Sequence, residues 1–303
     1  QSAQAVYQEI VWPSLTSIAS RTGAKMTCMM TPQFTYTDEE EPDGENVTYY
    51  LKRLKEEHAE AGLSADSREG ILLSEKIKQD QTFWQTYAPS YRFLSLYADG
   101  VKSIGEESAL PAEIRTVALG SGASGQAVGY LNENVTLQPS TSSGIRHTFL
   151  DDFKVKCMET ALGYSNITPD LYSVTYPEGD DDSWEKMSKK IAANLGTYWK
   201  AYEAFDATTL TESDVRIRRF LALDYKQQRA GNVITLSLEH REDAAWFLLR
   251  LHGEKVTEVA GGSFEEIEDG VYLILAEEDE VSVEVQNGET WQYQDGGKCG
   301  DGT

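Results

Sequence analysis

The chain has 303 residues, with 50 acidic against 27 basic side chains and a formal charge of −23. A surface that negative repels phosphate backbones and anionic lipid, so nucleic acid is not an expected partner, and with no apolar run near the ~18 residues of a membrane span no direct membrane insertion is expected. A 40% apolar content, including six Trp and sixteen Tyr, is enough for a sizeable core and argues against wholesale disorder.

Residues 4–20 read as a helix interrupted or restarted near Pro13, followed by a strand, "KMTCMMTP", that Pro32 closes. Cys28 lies in that apolar run, where a small buried thiol fits. The three cysteines, Cys28, Cys157 and Cys299, show no metal-ligand spacing. After the acidic loop "EEEPDGEN", Val47, Leu51, Leu54 and His58 follow at spacings of four, three and four, which is one face of a helix. "AEAGLSA" has the small-residue character of a strand end opening into a loop. "SEKIKQDQTFWQTYA" reads as another helix, and "YRFLSLYA" and "IRTVALG" read as buried strands. This alternation predicts parallel βα units.

Gly120, Gly122 and Gly125 have GxGxxG spacing after a strand, but they run into "YLNENVTLQP", which reads as extended. A dinucleotide fingerprint opens a helix and leads to an acid about 20 residues on, so no cofactor is expected. Asp151 and Asp152 in "FLDDF" either mark a helix start, where the dipole favours acids, or serve a catalytic or Mg²⁺/Ca²⁺ role, the helix start being the commoner case. Asp170 closes "YSNITPD", read as a buried strand, and a carboxylate at the C-terminal end of a barrel strand sits where active sites are built. Ser183 is the N-cap of the clearest helix, which runs to about Phe205 with Trp184, Met187, Ile191, Leu195, Tyr198 and Tyr202 recurring along it. Thr211 and Asp214 resemble a capping box ahead of a further helix, "VRIRRFLALDYKQQ". After Asn232 the texture turns to short strands, "NVITLSL", "AAWFLLRL", "KVTEVAG", "GVYLILA" and "EVSVEV", separated by Gly and acidic turns. The chain is therefore expected to divide into an α/β body over 1–230, a small β-sandwich-like module over 231–290 and a mobile Gly-rich tail over 291–303.

The order helix, "KMTCMMTP", helix, "HAEAGLS" resembles the NodB-type polysaccharide deacetylases, in which a GHEIGxH segment carries zinc. The longer segments "TALGYSNITPDLYSVTYP", "SWEKMSKKIAANLGTYWKAYEAFDATTLTESDVRIRRFLALDY" and "AAWFLLRLHGEKVTEVAGGSFEEIEDGVYLILA" are similar to a deacetylase-like family of largely unassigned function, related to the deacetylase region of Pel-type exopolysaccharide machinery. The resemblance implies an α/β fold: a (β/α) barrel of the polysaccharide deacetylase type followed by a small C-terminal β module. The family's TFDD-like first strand does not precede Gln1, so the barrel is expected to be incomplete at its N-terminus or to have that strand outside this chain. The resemblance also implies a polysaccharide or oligosaccharide ligand, exopolysaccharide biosynthesis or export proteins as partners, and an extracytoplasmic bacterial location.

Aligned on Glu60 and Gly62, His58 takes the family's glycine, Ala59 its first histidine, and Ser64 and Arg68 the two metal-binding histidines. Metal-assisted deacetylation needs a cation that lowers the pKa of bound water towards ~7 and a carboxylate as general base. Catalytic zinc takes three protein ligands. Ser64 and Arg68 supply no imidazole, and His147, His240 and His252 form no HxxxH or HxH pair, so no metal is expected. His58 would either face the barrel mouth beside Glu60 or complete the apolar stripe of its helix.

The expected function is a carbohydrate-associated, deacetylase-like domain of an exopolysaccharide or cell-envelope system, lacking zinc-dependent deacetylase activity. One alternative is an active hydrolase with a non-standard carboxylate site drawn from Asp38, Glu60 and Asp170. The other is a structural or protein-interaction module. Trp84, Tyr87, Trp199 and Tyr202 are the aromatic candidates for packing sugar faces, although most of the aromatic residues also fit the period of a core.

Overall fold

In the computed structural model the described residues are 7–30, 44–64, 73–104, 110–120, 127–145, 148–160, 163–169, 179, 183–198 and 206–287. The chain divides into two compact units, residues 1–218 and 219–303.

In the first unit a π-helical turn, Tyr7–Val11, leads into α1 (Trp12–Thr22). Pro13 stands in the first turn of α1, where a residue without an N–H is tolerated, so of the two expectations the helix restarts there. There follow β1 (Thr27–Met30), α2 (Gly44–Glu56), β2 (Glu60–Ser64), α3 (Leu73–Tyr87), β3 (Ser95–Ala98), α4 (Val101–Ile104) and β4 (Thr116–Leu119). Then come β5 (Gly129–Asn132), β6 (Val135–Pro139), α5 (Phe149–Thr160), α6 (Trp184–Tyr198) and α7 (Leu210–Ala222). The strands form a six-stranded sheet in the order β1-β2-β3-β4-β6-β5. All neighbours are parallel except β5, which runs antiparallel to β6.

This sheet corrects the barrel expectation. A ring of parallel strands would need β1 to pair with a late strand, yet among the described residues β1 pairs only with β2. The opposite edge is held by β5, whose direction is wrong for such a ring. The fold is a mixed, open α/β sheet.

Strand alternation gives the sheet two unlike faces. Ala61, Leu63, Leu96, Ala98, Val117, Leu119, Val135 and Leu137 join Leu51 and Leu54 of α2 and Ile77 and Trp84 of α3 in one core. The intervening positions, Thr27, Glu60, Ser95, Thr116, Thr136 and Gln138, therefore point to the other face. Tyr91 completes the ladder of β2. Its hydroxyl receives the Ala61 N–H at 2.9 Å, beside the two residues at which β2 pairs with β3, Leu63 and Ser64. A smaller cluster packs Val11 and Ile18 against Trp184, Met187 and Ile191 of α6.

The second unit contains β7 (Asp224–Ala230), β8 (Val233–Glu239), β9 (Ala245–Arg250), β10 (Glu254–Ala260), β11 (Gly262–Glu268), β12 (Val271–Ala276) and β13 (Glu280–Asn287). They form one antiparallel sheet in the order β10-β13-β8-β7 and another in the order β11-β12-β9. Both sheets contribute to one core: Ile234, Leu236, Leu238, Val281 and Val283 from the first, Tyr272, Ile274 and Ala276 from the second. The helix expected across "VRIRRFLALDYKQQ" ends at Ala222. Gly231, at φ 63, turns the chain so that β7 pairs with β8 from Asp224↔Glu239 to Ala230↔Val233.

Candidate functional site

The N-terminus of α7 is built by a capping box two residues before the expected one. Thr209, not Thr211, is the cap: its hydroxyl receives the Glu212 N–H at 3.4 Å, and the Glu212 carboxylate receives the Thr209 N–H at 2.8 Å. That register frees Thr211 and Asp214 to face the polar side of the sheet. Glu60 Oε2 receives the Thr211 N–H at 2.9 Å and the Thr27 hydroxyl at 3.4 Å. Its Oε1 receives the hydroxyls of Ser95, at 2.6 Å, and Thr211. Thr27 Oγ1 in turn receives the Leu210 N–H at 3.0 Å. A carboxylate against a helix N-terminus is also favoured by the helix dipole.

Asp214 repeats the arrangement one turn on. It accepts from the Thr136 hydroxyl at 2.5 Å and from Arg218 Nε at 3.0 Å. Arg218 Nη2 reaches the carbonyls of Arg115 and Asn134 at 2.9 and 2.7 Å. Gln138 Nε2 donates to Thr116 Oγ1 at 2.7 Å and to the Leu210 carbonyl at 2.8 Å. Two carboxylates and a buried amide thus fasten α7 to the polar face of the sheet, the carboxylates near the N-terminal ends of its strands. Glu60, a catalytic candidate from the sequence, has each oxygen engaged by two protein donors, which leaves it little capacity as a general base.

A second polar group is buried between α3 and β2. Lys76 Nζ donates to the Ser64 carbonyl and, at 3.0 Å, to Asp80 Oδ2. Burial pushes the Asp80 carboxyl above its ordinary value against the opposing pull of Lys76. The Cys28 thiol points into the helix–sheet layer, although the residue as a whole is only half-buried, and burial pushes it up to about 12. At that value it is an inert thiol.

The opposite edge of the sheet is organised differently. Gly120 N–H bonds to the Ala98 carbonyl and Ser140 N–H to the Leu119 carbonyl, both at 2.9 Å. Asp99, Gly120 and Ser140 therefore stand side by side just past the carboxyl ends of β3, β4 and β6. The Tyr97 hydroxyl donates to Asp99 Oδ1 at 3.0 Å. It lies 2.6 Å from where a Cβ on Gly120 would stand, so a side chain there would collide with it. Asp99 is exposed, and its Oδ2 has no protein donor among the described residues. Beyond β6, residues 163–169 run beside the chain through a bridge at Ser142↔Ile167. Thr141 N–H and Oγ1 both donate to the Asn166 carbonyl at 2.8 Å. Ligands of parallel α/β sheets bind outside the carboxyl ends of the strands. At this end of the sheet Tyr97 sets its ring and hydroxyl beside Asp99, whose Oδ2 meets no donor among the described residues, and Ser140 leads into a loop rich in hydroxyls.

The structure separates the residues singled out from the sequence. Asp38, Asp170, Trp199 and Tyr202 lie outside the described residues, as do Arg68 and His147. Trp84 is 3% exposed, its ring 4.6 Å from Phe93 in the core, so it offers no face to a sugar. Tyr87 is exposed, with its ring 4.7 Å from Phe83. His58 neither extends the apolar stripe nor accompanies Glu60. It is exposed at φ 54 and ends α2 in the left-handed conformation, with the Ala59 N–H on the Leu54 carbonyl at 2.8 Å. Ser64 is buried at the end of β2. Among the described residues, no three His, Cys, Asp or Glu side chains converge in a way that could hold a metal, and no helix is long and apolar enough to cross a membrane. Asp99 was missed although "YRFLSLYADG" carries the signal applied to Asp170, an acid closing a buried strand.

Comparison with protein-family models, with curated proteins and with solved structures yields no match to this chain.

Proposed function

We propose that this chain is a carbohydrate-associated domain of an exopolysaccharide or cell-envelope system that holds an oligosaccharide without zinc-dependent deacetylation. The observation that carries the reading is the Tyr97–Asp99 pair at the carboxyl edge of the sheet, beside Gly120. Sugars present C–H faces to aromatic rings and hydroxyl donors to carboxylates, and Asp99 Oδ2, which meets no donor among the described residues, can accept one. The absence of zinc chemistry from this reading rests on Ser64 and Arg68 standing where the resembling family has metal-binding histidines. The engagement of Glu60 by four protein donors supports it, because the carboxylate retained from that motif holds a helix. The exopolysaccharide setting and an extracytoplasmic location come from the sequence resemblance, from which the corrected fold removes the barrel.

Calorimetric titration with acetylated chitooligosaccharides, with acetate assayed in the same samples, tests the proposal. Binding without acetate release is expected. Asp99→Asn should weaken it about tenfold, the scale of one hydrogen bond to a charged group. Acetate release above the buffer rate, or affinity indifferent to Asp99→Asn, would overturn it.

A further inference from the structure

Among the described residues the second unit has four edge strands, and three of them are blunted. β7 is exposed throughout and carries Asp224, Lys226 and Arg229. β10 has an irregular register between Val256 and Glu258 and carries Glu254, Lys255 and Glu258. β11 has one between Glu266 and Glu268 and carries three glutamates. Charges and bulges of this kind are how sheets discourage further strands from adding to an edge. β9 lacks these features. Its sequence is "AWFLLR", its register with β12 is unbroken from Ala245↔Ala276 to Arg250↔Val271, and among the described residues no strand lies on its other side. Trp246 is 55% exposed. Phe247, whose ring also meets Tyr225 at 5.3 Å, and Leu249 pack against the core of the unit yet are only half-buried, consistent with a strand that has no neighbour on one side among the described residues.

We propose that two copies of this chain associate through β9, edge to edge and antiparallel, about a two-fold axis at Leu248. The strand is complementary to itself in this register. Directly opposed residues of antiparallel strands share a face. Trp246 of each copy therefore meets Arg250 of the other as a cation–π pair, Leu248 meets its own counterpart, and Phe247 and Leu249 cover one another. Charge favours a second copy at this edge over the other three. In a chain of net charge −23, β9 carries one charged residue, the cation Arg250, so self-pairing sets no acid against acid. The two three-stranded sheets become one continuous sheet with β11 at both ends.

Sedimentation equilibrium of the full chain from micromolar to millimolar concentration tests the pairing. The mass should double with concentration, and Leu248→Lys should abolish the doubling while leaving the thermal unfolding midpoint of the unit in place. Cysteine cross-linking gives a second test that needs no destabilising change. In a background with Cys157→Ser and Cys299→Ser, oxidised Leu248→Cys should form a covalent dimer, and Ser263→Cys on the far edge should not. A monomer throughout, a dimer indifferent to Leu248→Lys, or equal cross-linking at both cysteines would overturn the inference, the last two by placing the contact elsewhere.

Discussion

Glu60 and Asp80 are both carboxylates inside the first unit, but their surroundings give them opposite roles. Glu60 is surrounded by donors and fastens α7. Glu60→Gln turns one acceptor oxygen into a donor facing donors, which should cost about 1–3 kcal/mol in denaturant unfolding without changing ligand affinity. Asp80 faces the single cation of Lys76 in an apolar layer. Its folded pKa is raised above the ordinary 3.8, so its contribution to stability is fully present below that value and declines as pH rises through the raised one. The stability of the wild type relative to Asp80→Asn should therefore fall as pH rises from 3.8 in urea titrations, and a flat difference would contradict the burial. Lys76→Met leaves the Asp80 charge uncompensated and should cost about 3–5 kcal/mol at neutral pH, with part recovered in acid. From the sequence Glu60 is a catalytic candidate, but its part in anchoring a helix is not legible there, because all four of its donors come from residues distant in the chain.

At the scale of elements, α7 shows why its boundaries were hard to read. Thr209–Glu212 and Thr211–Asp214 share the same spacing, and only the sheet decides which pair caps the helix and which pair docks it. Thr209→Ala should cost about 1 kcal/mol, the usual loss for an N-cap. Glu212 is held below the ordinary carboxylate range by the Lys25 ammonium at 2.7 Å. Its contribution is present above pH 4.5 and lost as pH falls through the lowered value, and it is small because both side chains are nearly half exposed. The apolar strands β3, β4, β8, β12 and β13 were legible from alternation or short buried runs, and β2 only as a strand end opening into a loop. β7 and β11 were not, since one is polar throughout and the other is rich in glutamate. Their strand state depends on pairing with β8 and β12. Gly261 and Gly262 form the junction before β11, and a Cβ at either position would meet the backbone of Glu280 or Leu275. Gly262→Val should therefore lower the unfolding midpoint of the second unit far more than Ser263→Val beside it.

For the whole molecule, the parallel βα alternation was readable, but whether the sheet closed was not. Local pattern says which residues are strands. Closure depends on whether β1 finds a late partner, and the edge that would have supplied one is occupied by the β5–β6 hairpin. The second unit draws its core from its own two sheets, so residues 219–303 produced alone should unfold in one cooperative transition, observable by near-ultraviolet circular dichroism. The functional account places ligand binding at one edge of the first unit's sheet and helix anchoring at the other. Measuring oligosaccharide affinity for Asp99→Asn and Glu60→Gln side by side, at a temperature where both are folded, tests that division most directly. The account predicts that affinity falls for Asp99→Asn and is retained by Glu60→Gln. Loss of affinity in Glu60→Gln with Asp99→Asn unaffected would contradict it.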